Sequence, residues 1–543
     1  MKETEFNLID EPWIKVMEPN GEVKEVSLLS ALLDSDKYID LAGETETQNV
    51  AVLRLLLAIM HAVFYRVNEN GDEEPLEEDD IDIALERWKA LWDMKAMPKK
   101  PVTDYLEKWR DRFWLFHPER PFYQSLSAKE GTYNSAAKLI GELSKSGNKE
   151  RLFQARGLEG KESVAYPEAA RWLVYINGFD DAALKPHIQK EQRESKISVA
   201  WLGQLGLVLA KGKTLYETLL LNFIIAKNDD TLWSDEPPVW ELDKAPEQEL
   251  RSVPLPQSQM SLLTLQSRRV LLERKDGAVS GYGILCGDSF ESENAFAEQM
   301  TAWSYRKGKS GVPACYTPKA HYPGRQMWRD FAGLFMPGEE RKLPGVVEWV
   351  SRLGKNGYIS QRLISFASSG NRYDSSQRSA VTDILGDGLT FHTGLLDKID
   401  GPWTIRVNEE VEKCDKAARE IWILAQGILE ASGGSDSQNS DFAGKYEQQW
   451  YDRVDMPFRA WLLSLDPKGE ESPREAGERW HKSAKSIALA LAGEMVSQAS
   501  DSAVLGMEKK KDGSDNKVVI CSAAKAHMFF KSKISKLYGR SEN

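Results

Sequence analysis

The stretch NEEVEKCDKAAREIWILAQGILE, residues 408–430, decides how the C-terminal part of the chain folds. Val411, Cys414, Ala418, Ile421, Ala425 and Ile428 follow one another at steps of three or four, with Leu429 alongside. That spacing lines one side of a helix with apolar groups, and such a side must be buried against a partner. Helical patterns return at 441–465, 473–502 and 517–537, with glycine-rich or polar connections between them. Four amphipathic segments joined in this way predict an antiparallel four-helix bundle.

Working outward, the character of the chain changes near residue 405. NLIDEPWIKV at 7–16 reads as extended and aromatic-anchored, and PNG at 19–21 marks a turn. Helices are expected at 48–66, 166–176 and 198–210, and residues 81–116 again show helical spacing. The run GDEEPLEEDD at 71–80, with seven acids, fits an exposed helix–helix connection. RRVLLERKDGAVSGYGILCG at 268–287 predicts a β-hairpin, because Asp276–Gly277 suits a two-residue turn needing positive φ twice. The expected fold class is α+β: a large mixed α/β domain over 1–405 and a C-terminal antiparallel four-helix bundle over 406–543.

Composition narrows the chemistry. With 83 acidic against 71 basic residues the net charge is -12, which opposes diffuse nucleic-acid affinity but permits a local basic surface. Cys286, Cys315, Cys414 and Cys521 lie far apart, as expected for reduced thiols in the cytoplasm. MKETEFNLID has no apolar signal core, and runs such as LLLAIM at 55–60 fall short of a membrane span, so no membrane association is expected. GKS at 308–310 is no phosphate loop, since Trp303 stands where its first glycine belongs. Seven scattered histidines form no metal-ligand pattern, and no catalytic motif is present. The expectation is therefore a non-enzyme without metal or cofactor.

One segment departs from the acidic background. Residues 301–329, TAWSYRKGKSGVPACYTPKAHYPGRQMWR, contain no acid, six cations and five aromatic residues. Arg306, Lys307, Lys309, Lys319, Arg325 and Arg329 suit phosphate contacts, while Trp303, Tyr305, Tyr316 and Tyr322 suit packing on sugars or unpaired bases. The competing reading has the rings anchoring the segment to a core while the charges face solvent.

Several blocks in order, NLIDEPWIKV, HPERPFYQ at 117–124, YPEAARWLV at 166–174, KGKTLYETLLLNF at 211–223, LLTLQSRRVLL at 262–272 and MTAWSYRK at 300–307, resemble the CasA family. That family supplies the large subunit of the type I-E CRISPR surveillance complex, Cascade, which serves antiviral defense. The resemblance covers nearly the whole chain. It implies a non-catalytic subunit that recognises the protospacer-adjacent motif (PAM) in duplex DNA from the minor groove and helps open the duplex for R-loop formation. Implied partners are the CRISPR guide RNA, double-stranded target DNA, the backbone and small helical subunits, and a recruited helicase-nuclease.

The same resemblance nominates individual residues. In the loop at 144–157, Asn148, Phe153 and Gln154 match the part that meets the guide handle or a neighbouring subunit, with Lys145, Lys149, Arg151 and Arg156 near phosphate. Phe153 alternatively tucks into its own domain. Lys275 is the choice for the minor-groove probe, with Arg274 one register away. Gln377 is the choice for a strand-separating wedge, with Ser375 or Ser376 as alternatives and Arg372 and Arg378 bracing phosphate; a plain polar turn is the rival reading. Where relatives carry a glycine-rich loop, NGFDDAALKPHIQK at 177–190 offers only Gly178.

Overall fold

The computed structural model describes residues 4–77, 79–141, 162–183, 185, 198–243, 253–309, 311–360, 362–374, 380–397, 401–434, 436–510 and 518–539. The chain divides into two compact units: Met1–Arg325 with Gly338–Ser360 and Ser365–Gly388, and Gln326–Pro337 with Gln361–Ile364 and Leu389–Asn543. Position 405/406 falls inside a helix of the second unit, Pro402–Ala431.

The first unit is organised around α1, Glu46–Phe64, which Thr45 caps by accepting from the Gln48 amide. Every residue of α1 from Val50 to Phe64 is buried. By length and composition alone this helix would pass as a membrane span, more than LLLAIM suggested, but 94% of its apolar window is buried within the structure. Against it packs α2, Tyr166–Phe179, opened by Pro167 in its first turn.

Polar clamps hold the N-terminal signature to this core. Asn7 accepts from the Ile9 amide and donates to the Arg110 carbonyl, and the buried Trp13 indole donates to the Leu8 carbonyl. Arg171 of α2 donates to the Trp13 carbonyl and to Glu25 and Glu44. His117 in HPERPF accepts from the amides of Glu119 and Arg120, closing the turn around Pro118. These blocks carry fold-determining contacts.

Two three-stranded sheets complete the positioning framework. Strands β1 (Thr132–Ser135), β2 (Leu207–Lys211), β3 (Arg268–Lys275), β4 (Ala278–Cys286), β5 (Trp303–Arg306), β6 (Cys315–Pro318), β7 (Leu363–Tyr373) and β8 (Val381–His392) give the orders β1–β4–β3 and β8–β7–β2, with β5–β6 a separate hairpin. The helix expected at 198–210 is instead a single tight turn, Trp201–Gln204, followed by β2. Close packing decides this: a Cβ on Gly203 would meet the Tyr373 hydroxyl at 2.3 Å, and one on Gly206 the Lys319 carbonyl at 2.0 Å. The 81–116 stretch likewise breaks into helices Ile81–Met94 and Lys99–Lys108 and strand Trp114–Phe116, with Lys95 left-handed at φ 56°.

A buried charge cluster joins the end of α2 to the start of β3. Asp180 accepts from Arg268 at 2.5 Å and lies 2.7 Å from the Lys185 ammonium. Lys185 also donates to Asp181 and to two backbone carbonyls, while Arg268 reaches the carbonyls of Asp181 and Ser198. Burial opposes ionisation of Asp180, yet Lys185 and Arg268 hold its carboxyl below the usual range. Burial and the neighbouring Asp180 push Asp181 upward.

In the second unit α3, Pro402–Ala431, packs against α4 (Asp436–Ser464), α5 (Pro473–Ser497) and α6 (Ala523–Leu537), forming the four-helix bundle. Gly433, at φ 84°, ends α3, and the Gly434 amide returns to the Leu429 carbonyl. A 30-residue helix is about 45 Å long, so the short link to α4 can join only adjacent ends and reverses the chain. Two ends differ from expectation: α5 stops at Ser497, and Val518–Cys521 pairs with Met507–Lys510 as a hairpin before Ser522 caps α6. Ser and Gly at these joints favour caps and turns over continued helix.

The Glu44 clamp makes stability pH-dependent. Burial opposes its charge, but Arg171 and Lys15 outweigh it and hold the carboxyl at about 2 against the usual 4.5. Its contribution, about 3 kcal/mol, is complete above pH 4.5 and is lost as pH falls through 2. Glu44→Gln should therefore lower the urea midpoint at pH 7, with the gap to wild type closing between pH 4.5 and 2; a gap independent of pH would contradict this. Asp180→Asn, which leaves Arg268 and Lys185 sharing a neutral partner, should cost about 3–5 kcal/mol in the same measurement.

Candidate nucleic-acid interface

The hairpin β3–β4 presents a cation at its tip. Its antiparallel register runs from Arg268↔Cys286 to Lys275↔Ala278, closed by Asp276 at φ 50° and Gly277 at φ 80°. Both central turn residues have positive φ, as the Asp-Gly pair predicts. A bulge between Glu273 and Arg274 increases the local twist.

The two basic neighbours at this tip are not equivalent. Arg274 folds back, donating to Glu5 at 2.6 Å, and its guanidinium lies 4.8 Å from the Phe116 ring centroid. Lys275 is exposed, and among the described residues no carboxylate pairs with it. Arg274 thus acts as a brace, leaving Lys275 as the extended charge.

Helix α2 mounts both this hairpin and strand β7. Near its N-terminal end, the Tyr166 hydroxyl reaches Glu5, the partner of Arg274; beyond its C-terminal end, Asp180 grips Arg268. Strand β3 therefore runs along α2 in the opposite direction. On β7, Asn371 donates to the Tyr175 hydroxyl at 2.7 Å and accepts from Thr47, and the Tyr373 hydroxyl donates to the Phe179 carbonyl. The 14-residue α2 is roughly 20 Å long, which sets the scale between the Lys275 tip and the C-terminal end of β7. Sequence reasoning passed over these anchors, although Asn371 and Tyr373 flank the nominated Arg372.

Gly178 serves packing. A Cβ there would lie 2.5 Å from a Leu202 methyl, so this glycine lets the 201–204 turn close on α2. It lies within buried helix and offers no exposed backbone for a ligand.

The acid-free segment forms hairpin β5–β6, registered from Trp303↔Pro318 to Arg306↔Cys315, with Gly311 at φ 81° in its turn. Its rings engage one another: Tyr305 and Tyr316 are 5.1 Å apart, and Phe296 lies 5.3 Å from Trp303. Only Tyr322, 67% exposed, among the four rings singled out stands well clear into solvent. Arg306 approaches Glu293 at 3.6 Å, and Lys307 pairs with Glu340 at 2.9 Å, which raises the lysine pKa. Such exposed pairs are weak and can exchange an acid for a phosphate. Lys309 is exposed beside them, Lys319 and Arg325 are half-buried, and Arg372 is exposed on β7.

Arg329 belongs to the other unit. Its guanidinium lies 3.2 Å from the Tyr451 ring centroid, with Asp415 3.9 Å away, beside a Trp328–Phe458 stack. The remaining nominated residues, Lys145, Asn148, Lys149, Arg151, Phe153, Gln154, Arg156, Ser375, Ser376, Gln377 and Arg378, lie outside the described residues. Among the described residues no cluster of three metal-ligating side chains occurs, and Cys286, Cys315 and Cys414 are buried free thiols.

Comparison with known proteins places this geometry in context. The profile of the CRISPR-associated protein Cse1 family matches residues 7–491. A Thermus thermophilus relative described as CRISPR-associated protein CasA/Cse1 is 29% identical over 438 residues, covering 78% of this chain and 76% of the relative. The crystal structure of Thermobifida fusca Cse1 is 26% identical, with a TM-score of 0.81 over 98% of both chains. A chain of a solved CRISPR RNA-guided surveillance complex, 15% identical, shares the fold at a TM-score of 0.69, covering 97% of this chain and 99% of that one. Matched along most of its length, the chain belongs to the CRISPR-associated Cse1 family, also called CasA.

Proposed function

We propose that the chain is the large, non-catalytic subunit of a Cascade-type surveillance complex, and that it reads the PAM in duplex DNA. The observation that carries this reading is the Lys275 tip: an exposed cation beside a two-residue turn, paired with no carboxylate among the described residues, braced by Arg274 and rooted in the Asp180–Arg268 cluster. An ammonium inserted in the minor groove meets acceptors common to several base pairs, so recognition there is tolerant among related motifs. The segment between β7 and β8, with Gln377, Ser375 and Ser376, then acts as the wedge at the first base pair. Unstacking costs a few kcal/mol per step, which PAM contacts and growing guide–target pairing repay.

Phosphate contacts divide between Arg306, Lys307 and Lys309 on one hairpin and Arg372 and Arg378 beside the wedge. The 144–157 segment, through Asn148, Phe153 and Gln154, meets the guide RNA handle or a neighbouring subunit. The bundle faces the small helical subunit, and the assembled surface receives the helicase-nuclease. A scaffold that assembles the complex without reading the PAM is the second reading, favoured by the use of Gly178 in internal packing.

The test is a reconstituted complex bound to a randomised PAM library. Lys275→Ala and Gln377→Ala should each weaken binding of PAM-containing duplex by about 10-fold or more while guide assembly is unchanged, and Lys275→Ala should leave the melting temperature within about 1 °C. Removing Arg306 or Lys307 should weaken all sequences alike and lower the salt slope by about 1 per contact. Equal binding of every flank by wild type and variants would instead establish the scaffold.

A further inference from the structure

Arg329 was singled out by the sequence, and the duplex-reading surface does not use it. In the helical unit it forms one wall of a cleft of about 310 Å³, with Asp415, Arg419 and Trp422 from α3 and Glu447 and Tyr451 from α4. That volume reaches the lower end of the range for small-ligand sites. We propose that this cleft binds one unstacked nucleotide, supplied by a single strand or as a free mononucleotide.

The walls have the chemistry for it. Two guanidinium groups are each backed by an aromatic ring: Arg329 over Tyr451 at 3.2 Å, and Arg419 over Trp422 at 5.1 Å. A ring behind a guanidinium holds it in place, and the opposite face is a platform on which a base can stack. The first wall is fixed further because the Tyr451 hydroxyl donates to Asp415 at 2.6 Å and Asp415 lies 3.9 Å from Arg329. Arg329 is largely enclosed, with 12% of its side chain exposed, whereas Arg419 is exposed and supplies the accessible platform.

Charge and hydrogen-bonding capacity select the ligand. Two arginines and two carboxylates make the lining electroneutral, so it has no surplus cation for phosphate and grips the base, which leaves added phosphates, as in a triphosphate, without benefit. Asp415 and Glu447, when ionised, only accept hydrogen bonds. They therefore favour bases that offer exocyclic amino donors, such as cytosine N4, over thymine. This assignment does not depend on the PAM-reading proposal, since every residue involved lies in the helical unit.

Equilibrium dialysis of the full chain against dCMP, dCTP, dTMP, oligo-dC and oligo-dT tests it. Saturable dCMP or oligo-dC binding at least 10-fold tighter than the thymine counterpart is expected, with dCTP no tighter than dCMP. Arg419→Ala should abolish it, and Glu447→Gln should reduce the cytosine preference while leaving the melting temperature unchanged. Saturation by dCMP indicates that a free nucleotide suffices, and saturation by the strand alone assigns the cleft to a polynucleotide. Absence of saturable binding at millimolar ligand, or binding by Arg419→Ala equal to wild type, would overturn the proposal. Loss of PAM discrimination in Lys275→Ala leaves this measurement untouched, so the two ideas fail separately.

Discussion

Asp180 is enclosed between two cations, Arg268 and Lys185, just where α2 ends and β3 begins. A carboxylate out of water survives ionised only with such company, and two buried cations equally need an anion. Satisfying all three fixes the exit of α2, the course of the segment reaching Lys185, and the base of the β3–β4 hairpin in one step. The Lys275 tip inherits its position from that constraint. The same helix then receives Asn371 and Tyr373 from β7, so the hairpin and β7 share one mount.

The split between surface and interior lets an acidic protein keep local positive surface. The long-range field of a chain at -12 is repulsive, so attraction must be confined to places where cations project beyond it. Hairpin tips do this with few residues. On β5–β6 the rings interlock and stiffen the hairpin, while Arg306 and Lys307 rest on Glu293 and Glu340. Resting pairs of this kind suppress adventitious contacts, yet cost little to break when a phosphate arrives.

The bundle was legible because Val411, Cys414, Ala418 and Ile421 repeat with helical period and need no distant partner to be recognised. The β3–β4 hairpin was legible for a similar local reason, the Asp276–Gly277 turn. The 198–210 segment was misread as helix because its fate is set by Tyr373 and Lys319, more than a hundred residues away, which occupy the space that Gly203 and Gly206 leave. Arg329 was grouped with its neighbours in sequence, but the chain passes to the helical unit at Gln326. Charge composition carries no information on such a crossing. Separating Arg274 from Lys275 likewise required knowing where Glu5 and Phe116 lie.

That last distinction reaches further than the hairpin. Glu5 and Arg274 are 269 positions apart in sequence, and their bond decides whether the tip carries one projecting charge or two. Substitutions at the two positions are consequently epistatic: loss of the acid leaves Arg274 without its carboxylate beside Lys275, and loss of both removes that second cation. Variation near the start of the chain thereby alters the charge presented at the hairpin tip, without any change in the hairpin itself.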